Sequence, residues 1–355
     1  MNDDTYRRWR RVLRRTALAT GVITACCLVV ASRVGDASLP RSAGAWPDPA
    51  ATTVSRASDA GWTPTAAKAG FAVAVKGETS RYRSRMLTVL PGETEIIQVV
   101  GPADARAFAV RASTGRMRVI DATTWEWHAP SVPGTYSVSI VEPRSGDSIR
   151  LTAFVLVPLD RVKGGWLNGY RVGRYPERAL RGLAVYERPR GFIEVTAENV
   201  DSKISPHFRL RQFLCKQESG YPKYVVLHER LLLKLEYLLE RVNEAGYPAS
   251  SFHVLSGYRT PYYNEAIGNV RYSGHVYGLA ADIFVDERPR DGMMDDLNGD
   301  SRFDVRDATV LYDLVDSQVG HPEYEGLIGG LGRYRKTPAH GPFIHVDVRG
   351  FRARW

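Results

Sequence analysis

The sequence predicts an α+β domain toward its carboxyl-terminal end, preceded by an all-β sandwich and an amino-terminal transmembrane anchor. Three observations carry that prediction. A charge-free apolar run follows an arginine cluster at residues 16–32, and short β-rich runs separated by turn residues fill 69–160. From residue 193 onward, one long amphipathic helical stretch mixes with separated strands, without the repeating βαβ period of a parallel sheet. A chain of 355 residues has room for two or three domains. Its 44% hydrophobic and 25% charged residues are the balance of a globular protein, which excludes global disorder and a multi-pass membrane protein.

Residues 1–15 form a basic cytoplasmic segment: Arg7, Arg8, Arg10, Arg11, Arg14 and Arg15 against Asp3 and Asp4 put +4 of the formal +9 there. The remaining charge is too diffuse to indicate nucleic acid, because charge balance speaks to encounter and not to chemistry. Residues 16–32 are about the minimum length for a bilayer span, and the arginines before them keep the amino terminus cytoplasmic. A cleaved secretory signal shares these basic and apolar regions, but no small-x-small cleavage site comes directly after them. Ile23, Thr24 and Ala25 before Cys26 resemble a lipoprotein site, yet Leu28, Val29 and Val30 continue the apolar run past the cysteine. All three readings export the remainder of the chain. Residues 33–68, rich in Ala, Pro, Ser and Asp and without apolar period, read as a flexible linker.

Over 69–160, β-rich runs at 86–90, 95–100, 108–112, 117–120, 135–142 and 149–157 alternate with turn signals such as Pro91-Gly92, Pro133-Gly134 and Ser145-Gly146. That spacing predicts a sandwich of immunoglobulin-like type with a spacing or binding role. It lacks the cysteine pair of antibody domains, and Trp125 and Trp127 read as core and edge aromatics. Residues 161–192 read as a connector. In the domain at 193–355, residues 228–245 place Leu231, Leu232, Leu235, Leu238, Leu239 and Val242 on one helical face ending at Gly246, with strands at 252–256, 280–285 and 343–348. Cys215 is alone outside the apolar run that holds Cys26 and Cys27, so it reads as a small buried side chain and no disulfide framework is possible there.

The chemistry-bearing residues cluster late. His275 and Asp282 stand seven positions apart, with the aspartate inside an apolar strand, where a carboxylate needs a partner or a metal. Sixty-three residues on, His345 and Asp347 share one face of a second apolar strand. Two histidines and one carboxylate suffice for a catalytic zinc with an open fourth position. Taken singly, each histidine reads as a core histidine bonded to a nearby acid.

Four marks in order resemble the zinc D-Ala-D-Ala carboxypeptidases and murein endopeptidases, which share a metal-site fold with hedgehog signalling domains. These are Ser205-Pro206-His207-Phe208, the stretch from Ser256 and Gly257 through Tyr258, Arg259, Thr260 and Pro261, the set Ser273, His275, Gly278, Ala280 and Asp282, and the Phe-Ile-His-Val-Asp strand with His345 and Asp347. The resemblance spans 193–355. It implies a zinc peptidase domain in which His275, Asp282 and His345 are the zinc ligands and Arg259 faces the scissile carbonyl. Several relatives carry the general base three residues before the last histidine, where this chain has Pro342. Asp347 is therefore the first candidate for the base, with an alternative role of holding the His345 imidazole, and His340 is the second candidate.

Residues 296–307 resemble the calcium loop of dockerins and EF-hands. Asp296, Asn298, Asp300, Asp304 and Asp307 supply oxygens at positions 1, 3, 5, 9 and 12, with the Arg302 carbonyl at position 7 and an amphipathic stretch carrying Leu311, Leu314, Val315 and Val319 behind. Ser301 stands where glycine is usual and Asp307 where EF-hands prefer glutamate. The expected cofactors are thus zinc and a structural calcium. The expected partners are peptidoglycan and, through the first helix, the bacterial inner membrane, with the catalytic domain in the periplasm and no nucleic acid. Hydrolysis of stem-peptide bonds is the expected activity, endopeptidase before carboxypeptidase; the alternative is a non-catalytic peptidoglycan-binding protein that keeps the fold.

Overall fold

In the first strand, Ala69, Phe71, Val73 and Val75 are all buried while the residues between them are not, the period-two pattern of a sheet with one face on a core. The structure, a computed structural model, describes residues 67–101 and 108–355. The expected basic segment, anchor and nearly all of the linker lie outside the described residues. Among the described residues no helix is long and apolar enough to cross a membrane.

Nine strands make the first layer pair: β1 (Lys68–Val75), β2 (Glu78–Tyr82), β3 (Ser84–Val89), β4 (Thr94–Val100), β5 (Ala109–Ala112), β6 (Arg116–Val119), β7 (Thr124–His128), β8 (Gly134–Glu142) and β9 (Asp147–Val155). They form one sheet in the order β2-β1-β4-β7-β6 and a second in the order β3-β9-β8-β5, with β3 and β9 parallel. Val73, Ile97 and Trp127 from the first sheet and Leu87, Ile140 and Leu151 from the second share one core, so the two sheets are a sandwich. Both tryptophans are inside it, Trp127 wholly buried with its indole N–H donating to the Thr114 carbonyl at 3.0 Å.

The chain then runs through β10 (Val157–Pro158) and the hairpin β11 (Trp166–Leu167) and β12 (Tyr170–Arg171) to β13 (Gly191–Val195) and β14 (Lys223–Val225), with β10, β13 and β14 in one small sheet. Residues 161–192 are more than a connector: Leu167, Tyr170, Tyr175 and Tyr186 enter the larger core. Helix α1 (Glu229–Glu244) begins after His228, buries the expected leucine face, and ends ahead of Gly246, whose φ of +89° is the left-handed stop. Its first turn also fastens the sandwich, since Glu229 Oε1 accepts from the Thr88 amide at 2.9 Å and hydroxyl at 2.6 Å. Met86 and Phe154 of the sandwich belong to this same larger core.

The last sheet carries the candidate site. After α1 come β15 (His253–Ser256), α2 (Pro261–Ala266), β16 (Ala280–Phe284), α3 (Val305–Asp316), α4 (Pro322–Glu325), β17 (Gly330–Tyr334), β18 (Phe343–Asp347) and β19 (Ala353–Arg354). The sheet order is β15-β16-β18-β17-β19, antiparallel except for β17 with β19. All five residues of β16 and of β18 are buried, with α3 packed on β17 and β18. Central strands covered on both faces are where a polar side chain must be fully partnered.

Candidate metal centre

Register decides which side chains meet. Asp282 on β16 lies directly opposite His345 on β18, Ser256 on β15 opposite Asp282, and Gly332 on β17 opposite His345. A Cβ at Gly332 would sit 2.3 Å from the Trp355 indole nitrogen, so the missing side chain admits that ring beside His345, 5.3 Å between centroids. His275 comes from a single helical turn, Gly274–Tyr277, closed by Gly278 at φ +68°. A Cβ on Gly278 would lie 2.4 Å from the Val226 carbonyl oxygen, so both its backbone angle and its packing require glycine.

His275 Nε2, Asp282 Oδ1 and His345 Nδ1 form a triangle with edges of 3.2, 2.9 and 3.2 Å. Tetrahedral ligands at about 2.0–2.1 Å from a shared zinc stand roughly 3.3 Å apart, so the triangle fits that ion. Each ring's other nitrogen is anchored. His275 Nδ1 lies 2.7 Å from the Gly257 carbonyl oxygen, which only accepts, so Nδ1 carries the proton and Nε2 is left as the donor atom for a metal. His345 Nε2 lies 3.2 Å from Asp347 Oδ2, which fixes the opposite tautomer and leaves Nδ1 for the metal. The second oxygen of Asp282 accepts from Arg259 Nη2 at 2.7 Å, and Arg259 Nε donates to Ser256 Oγ at 2.9 Å.

Burial lowers the pKa of His275 against the pull of Asp282, favouring the neutral ring that a metal needs. Burial opposes the Asp282 charge, yet His275 and His345 hold its carboxyl far below the usual carboxylate range. For His345, burial works against the charged ring but hydrogen bonds to Asp282 and Asp347 outweigh it and raise the pKa.

Asp347 does not reach the cleft. It is fully buried behind His345, where Oδ1 accepts from the amides of Gly330 at 2.8 Å and Arg349 at 3.0 Å, and both oxygens accept from the Arg349 guanidinium. Burial opposes its charge, but His345 and Arg349 press its pKa down. The expectation that Asp347 is the general base therefore gives way to the alternative raised with it, that of holding His345.

The three metal-facing residues line a cleft of about 750 Å³, together with Arg259 and His340. His340 Nδ1 lies 2.8 Å from the Gly341 carbonyl oxygen, so its proton sits there and Nε2 keeps a lone pair; the ring stands edge-on to Phe343. Lys216, Arg349 and Trp355 also line the cleft and were not singled out in sequence. Arg349 had a signal, since it continues the alternation of His345 and Asp347. Trp355 had none. His207, part of the first recognition mark, lies elsewhere: its ring and its amide both bond Glu236 of α1, at 2.6 and 2.8 Å.

In the 296–307 loop the oxygens serve the loop itself. Asp296 accepts from the amides of Gly299, Asp300 and Ser301, and Asp307, wholly buried, accepts from those of Leu297, Asn298 and Asp304. Arg306 pairs with Asp300 at 2.9 Å and Asp304 at 3.1 Å. Among the described residues, the one group of three or more potential ligands whose donor atoms lie within 4.8 Å of one another is His275, Asp282 and His345.

Three convergent nitrogen and oxygen donors on an open cleft define a candidate mononuclear metallohydrolase centre. Residues 206–303 match the family model described as Peptidase M15. That stretch takes in Arg259, His275 and Asp282 and stops before His345, which the β16–β18 register supplies. The match supports a metallopeptidase domain of M15 type, a zinc-dependent class, over this part of the chain. No curated protein matches the chain.

Proposed function

We propose that the chain is a zinc peptidase that hydrolyses peptide bonds in peptidoglycan stem peptides, held at the bacterial inner membrane by its amino-terminal segment with the catalytic domain in the periplasm. The observation that carries this reading is the convergence of His275 Nε2, Asp282 Oδ1 and His345 Nδ1 at the cleft. When bound there, zinc supplies Lewis acidity toward the scissile carbonyl and the attacking water. The chain supplies the rest. Gly257 and Asp347 hold the two rings in the tautomers that ligate. Arg259 steadies Asp282 through Nη2 and has Nη1 without a partner among the described residues, a permanent charge suited to the oxyanion of the tetrahedral intermediate. His340 Nε2 takes the proton from water and returns it to the leaving amine.

A cross-link endopeptidase is favoured over a D-Ala-D-Ala carboxypeptidase because a tether and a sandwich module suit a polymeric target. The second reading, a peptidoglycan-binding protein without turnover, has one observation in its favour: the sole carboxylate lining the cleft among the described residues is Asp282, already a ligand. For residues 296–307 the residue types support a structural calcium, which would have to displace Arg306 from Asp300 and Asp304. The deciding experiment incubates the zinc-loaded protein with a cross-linked muropeptide dimer and with a D-Ala-D-Ala-terminated pentapeptide, separating products by chromatography. Monomers from the dimer support the endopeptidase, D-alanine release supports the carboxypeptidase, and neither product from a zinc-loaded protein supports the binding protein.

A further inference from the structure

The sandwich carries a second cleft, of about 740 Å³, that shares no lining residue with the metal cleft. It is an open groove on the outer face of the sheet β3-β9-β8-β5, walled on one side by Ser202 and Lys203 of the domain that follows. Register makes this face polar. Ile149, Leu151, Val138 and Ile140 are fully buried in the sandwich, so the residues that alternate with them turn outward: Arg150 stands opposite Ser84 of β3 and Ser139 of β8, and Thr152 opposite Ser137. The wall is fastened to the sheet, with the Thr152 hydroxyl donating to the Lys203 carbonyl at 2.7 Å and Asn199 Nδ2 donating to Thr135 Oγ1 at 2.9 Å. Among the described residues every side chain lining the groove bears a hydroxyl or a positive charge, eight of the first and three of the second, and none bears a carboxylate. Arg83 is committed to Asp147, whereas the side chains of Arg150 and Lys203 are exposed and make no hydrogen bond or ion pair with a described residue.

We propose that this groove binds a glycan chain carrying carboxylates, namely the peptide-free stretches of the peptidoglycan strand. The inference rests on the peptidase reading for the identity of the polymer, while the chemistry of the ligand comes from the groove. A hydroxyl both donates and accepts, so a surface lined with them matches the hydroxyl and acetamido groups of amino sugars in either sense. Two unpaired cations with no acid beside them call for an anion, and a carboxylate completes them with charge-assisted hydrogen bonds. Where a stem peptide has been removed, the lactyl group of the muramyl sugar exposes that carboxylate. A bilayer surface fits less well, because the groove is concave and presents no aliphatic side chain to insert among lipids. The sandwich thus holds the chain on the sugar backbone of the polymer, at a site separate from the metal centre.

The test is calorimetric binding of glycan strands stripped of their stem peptides by an amidase, which leaves the metal cleft no peptide to hold. The zinc-loaded wild type is compared with the double variant Arg150→Ser/Lys203→Ser and with Ser137→Glu, which places a carboxylate in the groove. Zinc content and melting temperature are measured alongside. The wild type should bind the stripped strand about 10-fold or more tighter than a neutral β-1,4-linked N-acetylglucosamine oligomer of equal length, the scale of a hydrogen bond to a charged group. The double variant should lose that preference, and Ser137→Glu should weaken binding of the stripped strand by a similar factor, both with zinc content and melting temperature unchanged. No measurable binding of the stripped strand, equal affinity for the neutral oligomer, or a preference that survives in the double variant overturns the proposal. Binding of phosphatidylglycerol vesicles that is lost in the double variant, with none of the strand, would overturn it in favour of a membrane surface. Cleavage of a cross-linked muropeptide dimer by a protein that does not bind the strand would refute the groove alone, and strand binding without cleavage would refute the peptidase reading alone.

Discussion

Replacing Asp347 with asparagine separates holding a ligand from moving a proton. The carboxylate accepts from the Gly330 amide, the Arg349 amide, the Arg349 guanidinium and His345 Nε2. An amide keeps the shape but has a single acceptor oxygen. With its nitrogen toward His345, two donors face each other unless the imidazole moves its proton to Nδ1, the atom that completes the triangle. With its nitrogen toward Gly330, two backbone donors lose their acceptor. Each orphaned buried group costs about 1–3 kcal/mol, and breaking a buried pair with Arg349 costs about 3–5 kcal/mol in all, so the metal-free variant should melt well below wild type. Zinc affinity, measured by competition with a chromophoric chelator, should weaken by about 10- to 100-fold, while turnover at saturating zinc changes less. Unchanged zinc affinity with turnover reduced by about 10²-fold or more would refute this reasoning and make Asp347 the base.

His340→Ala should retain zinc and lose turnover by about 10²-fold or more; a fully active variant removes His340 from proton transfer. Lys234 is buried with its ammonium 2.8 Å from the Asp347 carbonyl oxygen, and burial lowers its pKa from 10.5 to about 7. Between those values the unfolded chain binds a proton that the folded chain does not, so stability should rise with pH across that window. Lys234→Met should flatten the rise in denaturant unfolding, and an unchanged slope would assign it to other groups. Calcium should raise the melting temperature by binding the native 296–307 loop, and chelator should reverse it. A melting temperature indifferent to both leaves the loop held by Asp307 and Arg306 alone.

Strong alternation was readable: β4, β8 and β9 fall within two residues of their expected bounds. Strands β1, β2 and β7 were not anticipated. Ala69 and Ala74 weaken the apolar signal in β1, and in β7 Glu126 and His128 flank tryptophans that only the opposing sheet shows to be core. At the site, residue type and spacing singled out His275, Asp282 and His345. Their meeting depends on the pairing of β16 with β18 across 63 residues, which no local pattern encodes. Alternation placed Asp347 on the face of His345 correctly but could not tell that this position lies beneath the ring, where Arg349 and the Gly330 amide consume it.

On the proposed function, zinc held by His275, Asp282 and His345 drives cleavage of peptidoglycan peptides. The most direct measurement is digestion of purified sacculi by metal-free protein titrated with zinc, with soluble muropeptides quantified by chromatography beside the His275→Ala variant. Product should grow with zinc up to one equivalent per chain and be absent with His275→Ala, which should also fail to retain zinc. Digestion indifferent to zinc, or a wild-type protein carrying one zinc that releases no product, would rule out zinc-driven cleavage at this site.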